Sequence, residues 1–260
     1  MLIAADTHVH LYPFYDAGQL FGHARRNLAA LAPSSGALVV MLTERSDCRV
    51  FRALRDRTLR PTAGWTVETC GDQHAVYVRS ESGQGLFLVA GRQINTRERI
   101  EVLALTADLD VPDGLPIDEV LPRVRESGAV PVLAWAPGKW FSGRGKIVER
   151  LIDTATRGGL LLGDTSLRPT VWPEPELMKR GQAHGLAILA GSDPLPFAGE
   201  ERRAGTYGVA LDVAFDAEHP AVSVRAAMLA PLLKVTRIGR RCGPFDTAAR
   251  LFKNSRAKSG

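Results

Sequence analysis

Residues 2–13, LIAADTHVHLYP, decide how this chain is read: a short apolar run passes directly into two histidines one residue apart. A β-strand alternates its side chains between faces, so His8 and His10 are expected to point the same way, with Asp6 on their side. Two imidazoles and a carboxylate at a strand end offer arms of a transition-metal site, for which neutral imidazole is the commonest ligand. Taken alone, the H-x-H pair reads equally as two solvated histidines in a turn. The rest of the chain has to choose.

Outward from that strand, apolar β-branched runs at 37–42, 86–90, 100–105, 130–135, 160–162, 187–190 and 208–213 alternate with segments of helical period. The helical segments fall at 18–31, 50–57, 117–126, 147–156, 175–184 and 222–233, with a last one near 246–252. This alternation predicts βα units around a parallel sheet, and 260 residues is the usual size of one (β/α) barrel. Trp65 to Thr69 and His74 to Val78 break the rhythm and predict a β-hairpin inserted before the third barrel strand. The expected organisation is a single barrel domain over 1–240 followed by a basic C-terminal tail over 241–260.

Hydrophobic residues make up 45% and charged residues 23%, which suits a globular protein with a large core. The opening apolar run is too short for a signal peptide, and no stretch approaches the roughly twenty apolar residues of a membrane helix. A cytoplasmic protein without a membrane partner is expected. Cys48, Cys70 and Cys242 are widely spaced and suggest neither a disulfide framework nor a zinc knuckle. The net charge of +5 is concentrated: from Lys234 onward eight Lys/Arg face one acid, which leaves the rest of the chain at −2. No stacking aromatics interleave with those charges, so nucleic acid is not expected as a partner.

In parallel barrels chemistry collects past the strand ends. The polar residues found there are Asp6, His8 and His10; Glu44 and Arg45; Gln93; Lys139; Asp164 and Arg168; and Asp193. The loop APGKWFSGRGK (136–146) carries Lys139 and Arg144 among glycines ahead of a helix, which reads either as an anion-binding loop or as a plain surface loop. Asp164 in GDTSLRP reads either as a site residue or as the partner of Arg168.

With these pieces in order, the chain resembles the PHP (polymerase and histidinol phosphatase) family of metal-dependent phosphoesterases, and more distantly the amidohydrolases. DTHVH stands on the first strand and LAGSDP on a late one. TERSD occupies the place of the family's T-D-H, VAGRQINTRERIEVLAL that of its G-x-E segment, and VLAWAPG that of its A-H-P-G. The resemblance covers most of residues 1–200 and implies a distorted TIM-like barrel of the PHP type. Carried over position by position, the family's second-strand histidine falls on Arg45, its bridging glutamate on Gln93, its mid-barrel histidine on Ala136, and the histidine after G-S-D on Leu195. No histidine lies between His74 and His184, so a three-metal site cannot be assembled.

The expectation is therefore one divalent ion, Zn, Fe or Mn, held by His8, His10 and Asp193, with Asp16 and Glu44 as further oxygen donors. Asp193, Asp164 and Arg45 are the candidate catalytic residues, and Lys139, Arg144, Arg168 and Gln93 the candidate substrate contacts. The function these imply is a mononuclear PHP-like hydrolase acting on a phosphoester or other small anionic substrate. The alternative is a non-catalytic barrel that binds a phosphorylated ligand or a protein partner.

Overall fold

The computed structural model describes residues 1–62 and 64–257; residues 258–260 of the expected tail lie outside the described residues. The chain runs β1 (Leu2–Val9), α1 (Ala17–Leu31), β2 (Ala37–Leu42), α2 (Val50–Arg55), β3 (Trp65–Thr69), β4 (Ala75–Ser80), β5 (Gly85–Val89) and β6 (Gly91–Asn95). It continues with β7 (Glu101–Leu105), α3 (Ile117–Glu126), β8 (Val130–Ala134), α4 (Gly143–Thr154), β9 (Leu161–Thr165), α5 (Glu176–Ala183) and β10 (Ile188–Gly191). A short 3-10 helix (Glu200–Arg203), β11 (Tyr207–Asp212), α6 (Pro220–Met228), β12 (Val235–Gly239) and α7 (Pro244–Ala257) complete it. None of the described helices is long and apolar enough to cross a membrane.

The architecture is α/β, but the strands pair into two sheets rather than one closed ring. One sheet has the order β12-β11-β1-β2-β5-β4-β3 and the other β10-β9-β8-β7-β6. Only β1, β2 and β5 in the first and β8, β9 and β10 in the second run parallel to a neighbour; the remaining pairs are antiparallel. The parallel sheet expected from the βα rhythm is corrected accordingly: the strands form two open sheets of mixed direction. The expected hairpin is present as β3 and β4, and it extends the edge of the first sheet through β5.

The two sheets abut at two seams, each marked by a glycine. At one, Glu44 bridges Arg92, and a Cβ on Gly91 would lie 2.4 Å from the Leu42 carbonyl oxygen. At the other, the Thr7 hydroxyl donates to the Ala190 carbonyl at 2.9 Å, and a Cβ on Gly191 would lie 2.3 Å from the His8 Cβ. Real Cβ atoms do not approach that closely, so only glycine lets β6 and β10 reach the neighbouring sheet there.

Between the sheets lies an apolar core that includes Ile3, Val39, Met41, Leu103, Val132 and Leu189, closed at one end by Val224 and Met228 of α6. α1 and α2 pack their apolar faces on the outside of the first sheet through Leu20, Phe21, Leu28 and Phe51. α3 and α4 cover the second through Val120, Val124, Val148 and Ile152. This is the layering that βα units produce, because each amphipathic helix has one stripe to bury. Cys242, Thr247 and Arg250 of the basic C-terminal segment are buried, and α7 docks on the body through the last two.

Candidate metal centre

The site begins with the irregular end of β1. Its parallel pairing with β2 holds to Asp6 opposite Val40 and then shifts register before Val9 meets Leu42. Asp6, expected beside the histidines, instead binds loops: its carboxylate accepts from the Ser192 amide at 2.9 Å, the Ser192 hydroxyl at 2.5 Å and the Gly205 amide at 2.7 Å. Burial pushes its pKa up to about 6 against those hydrogen bonds. Asp6 is thus a tie between β1 and the chain after β10, which is where Asp193 stands.

His8 and His10 do converge. His8 Nε2 lies 3.2 Å from His10 Nε2 and 3.6 Å from Asp193 Oδ1, and His10 Nε2 lies 3.5 Å from the same oxygen. Bonds of about 2.0–2.2 Å at tetrahedral angles would put ligand atoms about 3.3–3.6 Å apart, so these three atoms already stand near the spacing of one tetrahedral face. Among the described residues they are the one group of three or more such ligands within 4.8 Å of one another. Gln93 Oε1 approaches His8 Nε2 at 3.1 Å as a neutral fourth neighbour. The donor set suits a divalent transition metal.

Protonation favours the same reading. Burial, and then the neighbouring His8, push the His10 pKa down to about 4, so its imidazole is neutral at pH 7. Burial works to raise Asp193, but His8, His10 and Arg250 outweigh it and hold this carboxylate below its ordinary range. A neutral imidazole and an ionised carboxylate are what a metal requires. Asp193 also adopts a left-handed backbone (φ +51°), a region Asp tolerates better than most residues. Its amide donates to the His8 carbonyl at 2.9 Å, and Thr165 donates to Oδ2 at 3.1 Å. Oδ1 is left facing the imidazoles.

The centre opens into a polar cavity of about 250 Å³. Arg45, Gln93, Ala136 and Leu195, the four positions where the resemblance places replaced ligands, all line it together with His10 and Asp193. Lys139 lines it too and pairs with Glu101 at 3.2 Å, while the partly exposed Arg45 pairs with Asp47 at 3.3 Å. Two cations therefore stand at a cavity whose floor holds a candidate metal site.

Other expected site residues are placed elsewhere. Asp16 caps α1, accepting from the Gln19 amide at 3.0 Å and the Thr62 hydroxyl at 2.5 Å. Glu44 accepts from the Phe51 amide at 2.8 Å in the first turn of α2, and burial raises its pKa. Neither belongs to the ligand group. Asp164 and Arg168 bind each other at 2.6 and 2.8 Å, and Arg168 also donates to the Trp172 carbonyl at 3.0 Å. A guanidinium so spent, and 2% exposed, cannot meet a substrate. Arg144 donates to the Gly138 carbonyl at 2.6 Å, folding its loop on itself, and does not line the cavity.

Glu101, Leu251 and Asn254 line the cavity without having been foreseen. Polar residues were sought after strand ends, but β7 runs antiparallel to β8, with Glu101 opposite Ala134, so its mouth end is its beginning. Leu251 and Asn254 belong to α7, which composition presents as a charged tail.

No family model and no curated protein matches the chain. Among solved structures, the fold is shared with PsfC from Pseudomonas syringae PB-5123, at 14% identity and a TM-score of 0.60 over 99% of this chain and 98% of that one. It is also shared with the lesion-specific endonuclease PfuEndoQ from Pyrococcus furiosus, at 14% identity and a TM-score of 0.52 over 90% of this chain. This chain spans 58% of that endonuclease. The expectation that nucleic acid is no partner is corrected by this neighbour, since an enzyme that acts on nucleic acid carries the same fold.

Proposed function

We propose that this protein is a PHP-like hydrolase with a single divalent metal ion, acting on a phosphoester. The observation that carries the reading is the triangle of His8 Nε2, His10 Nε2 and Asp193 Oδ1 at the floor of a cavity with two cations on its wall. Bound there, Zn, Fe or Mn supplies Lewis acidity toward a phosphoryl oxygen and an activated water at neutral pH. His10 presents a neutral nitrogen beside the imidazole of His8, and Thr165 occupies one oxygen of Asp193 so that the other faces them. The planar guanidinium of Arg45, with Lys139, holds the anionic group of the substrate at the mouth. Phosphodiesters of nucleic acid belong to the substrate class to be tested, given the endonuclease that shares the fold.

The test is metal content after purification without chelator, followed by hydrolysis of bis(p-nitrophenyl) phosphate and of lesion-containing DNA. About one equivalent of metal is expected, with metal and hydrolysis lost together in a His8→Ala, His10→Ala double variant. Absence of bound metal after reconstitution with Zn, Mn and Fe overturns the reading. A second reading, a ligand-binding relic, is favoured by the cavity wall itself, where Arg45, Ala136 and Leu195 stand in place of ligands. It predicts bound metal and bound phosphate with no turnover.

A further inference from the structure

We infer that the C-terminal helix α7 is a working part of the metal centre, with Arg250 as the positioning residue that holds Asp193. The inference rests on the metal-binding role proposed above.

Arg250 and Thr247, one helical turn apart on α7, are each 3% exposed, and both face the body. The Arg250 guanidinium donates through Nε to both oxygens of Glu200 at 3.0 Å and through Nη1 to the Ser166 hydroxyl at 3.0 Å. Its Nη2 donates to the main-chain carbonyl of Asp193 at 3.0 Å. A planar five-donor fork can serve three acceptors at once, whereas an ammonium is a single point. Glu200 passes the constraint on, because its other contact is the Leu195 amide at 3.0 Å. Tyr15 donates to the Leu195 carbonyl. Asp193 is therefore gripped at its amide by His8, at its carbonyl by Arg250 and two residues later by Glu200, which fixes a left-handed backbone that few surroundings would stabilise.

The same face of α7 walls the cavity. Leu251 and Asn254 line it, and the Asn254 amide oxygen is buried with no donor among the described residues. The helix thus touches the centre twice, through the backbone of a ligand and through the pocket wall.

The experiment is cobalt(II) titration of the full chain, followed by the visible absorption of the bound ion, for wild type, Arg250→Ala and Arg250→Lys. Groups that orient a ligand typically contribute 10–100-fold in metal affinity, so Arg250→Ala is expected to weaken cobalt binding about 10–100-fold and to alter its spectrum. An altered cobalt spectrum in folded protein is the readout that a merely structural role would not move, and added guanidinium should restore part of it. Arg250→Lys keeps the charge but not the fork, and is expected to retain the fold with weakened cobalt binding; it decides the matter if Arg250→Ala does not fold. Wild-type affinity and spectrum in Arg250→Lys, or in a folded Arg250→Ala, overturn the inference while leaving the metal centre standing. Failure of wild type to bind cobalt overturns both.

Discussion

Asp164 and Asp193 stand near the ends of two neighbouring parallel strands, β9 and β10, and both are buried, yet their chemistry is opposite. Asp164 accepts from Arg168 at 2.6 and 2.8 Å, from the Tyr207 hydroxyl at 2.8 Å and from the Thr165 amide at 3.0 Å. Asp193 receives one side-chain hydrogen bond, from Thr165, and otherwise faces two imidazoles at 3.5 and 3.6 Å. Burial and position at a strand end are common to the two. What separates them is unspent lone pairs: a carboxylate whose acceptor sites are filled by a guanidinium is structure, and one with an oxygen left over can be a ligand.

The comparison breaks most visibly under truncation. Asp164→Ala leaves Arg168 buried without its carboxylate, and breaking a buried pair costs about 3–5 kcal/mol, to be read as the loss in urea unfolding free energy. Its folded fraction should bind cobalt like wild type. Asp193→Ala should do the reverse, losing at least about 100-fold in cobalt affinity with a smaller change in stability. Stronger damage to cobalt binding from Asp164→Ala than from Asp193→Ala would erase the distinction.

A second contrast concerns pH, between one residue within β1 and one just past its end. Asp6 titrates near 6 in the folded chain against an ordinary 3.8, so its contribution to stability is full below 3.8 and is lost as pH rises through 6. His10 titrates near 4 against an ordinary 6.5, so its contribution is present above 6.5 and is lost as pH falls through 4. The two slopes oppose each other and are each worth on the order of 3 kcal/mol. In metal-free protein the stability of wild type relative to His10→Gln should therefore climb by about 3 kcal/mol from pH 4 to 6.5. Parallel urea-midpoint profiles for the two proteins would mean that His10 is not buried neutral.

These contrasts also mark what the sequence could reveal. β2 is read at its true bounds because ALVVML is a continuous apolar run, and the hairpin because its two halves alternate. The apolar-run pattern does not pick out β12: it is an edge strand paired with β11 alone, VTRIG carries an arginine, and its residues are half-buried or exposed. β6 was missed because GRQIN carries two long polar side chains that become buried only when β6 reaches both β2 and β7. Strand direction is the deeper loss. Apolar runs carry no arrow: a parallel β7 would put its mouth end after Leu105, whereas its antiparallel course puts Glu101 there. His8 and His10 were legible from the alternation of an H-x-H pair at a strand end, and Asp193 from the G-S-D motif of the resemblance. Arg250 was not, since a guanidinium in a basic segment looks like any other until Glu200 and Asp193 are brought against it.

The smallest expected effect sharpens the first comparison, because it adds an unspent carboxylate where the chain has none. Gln93 Oε1 already lies 3.1 Å from His8 Nε2, so the side chain reaches the site, but a neutral amide adds no charge to offset that of a cation. Gln93→Glu places a second anionic oxygen beside Asp193, and first-metal affinity should rise about tenfold, equal to about 1.4 kcal/mol. A full second site should not form, because the Arg45 guanidinium lines the same wall and Ala136 and Leu195 offer no donor atom. Cobalt titration should therefore give a tighter first equivalent and an unchanged stoichiometry. Unaltered affinity would mean that the side chain at 93 is held by His8 for structural reasons and that Asp193 alone supplies the negative charge of the centre.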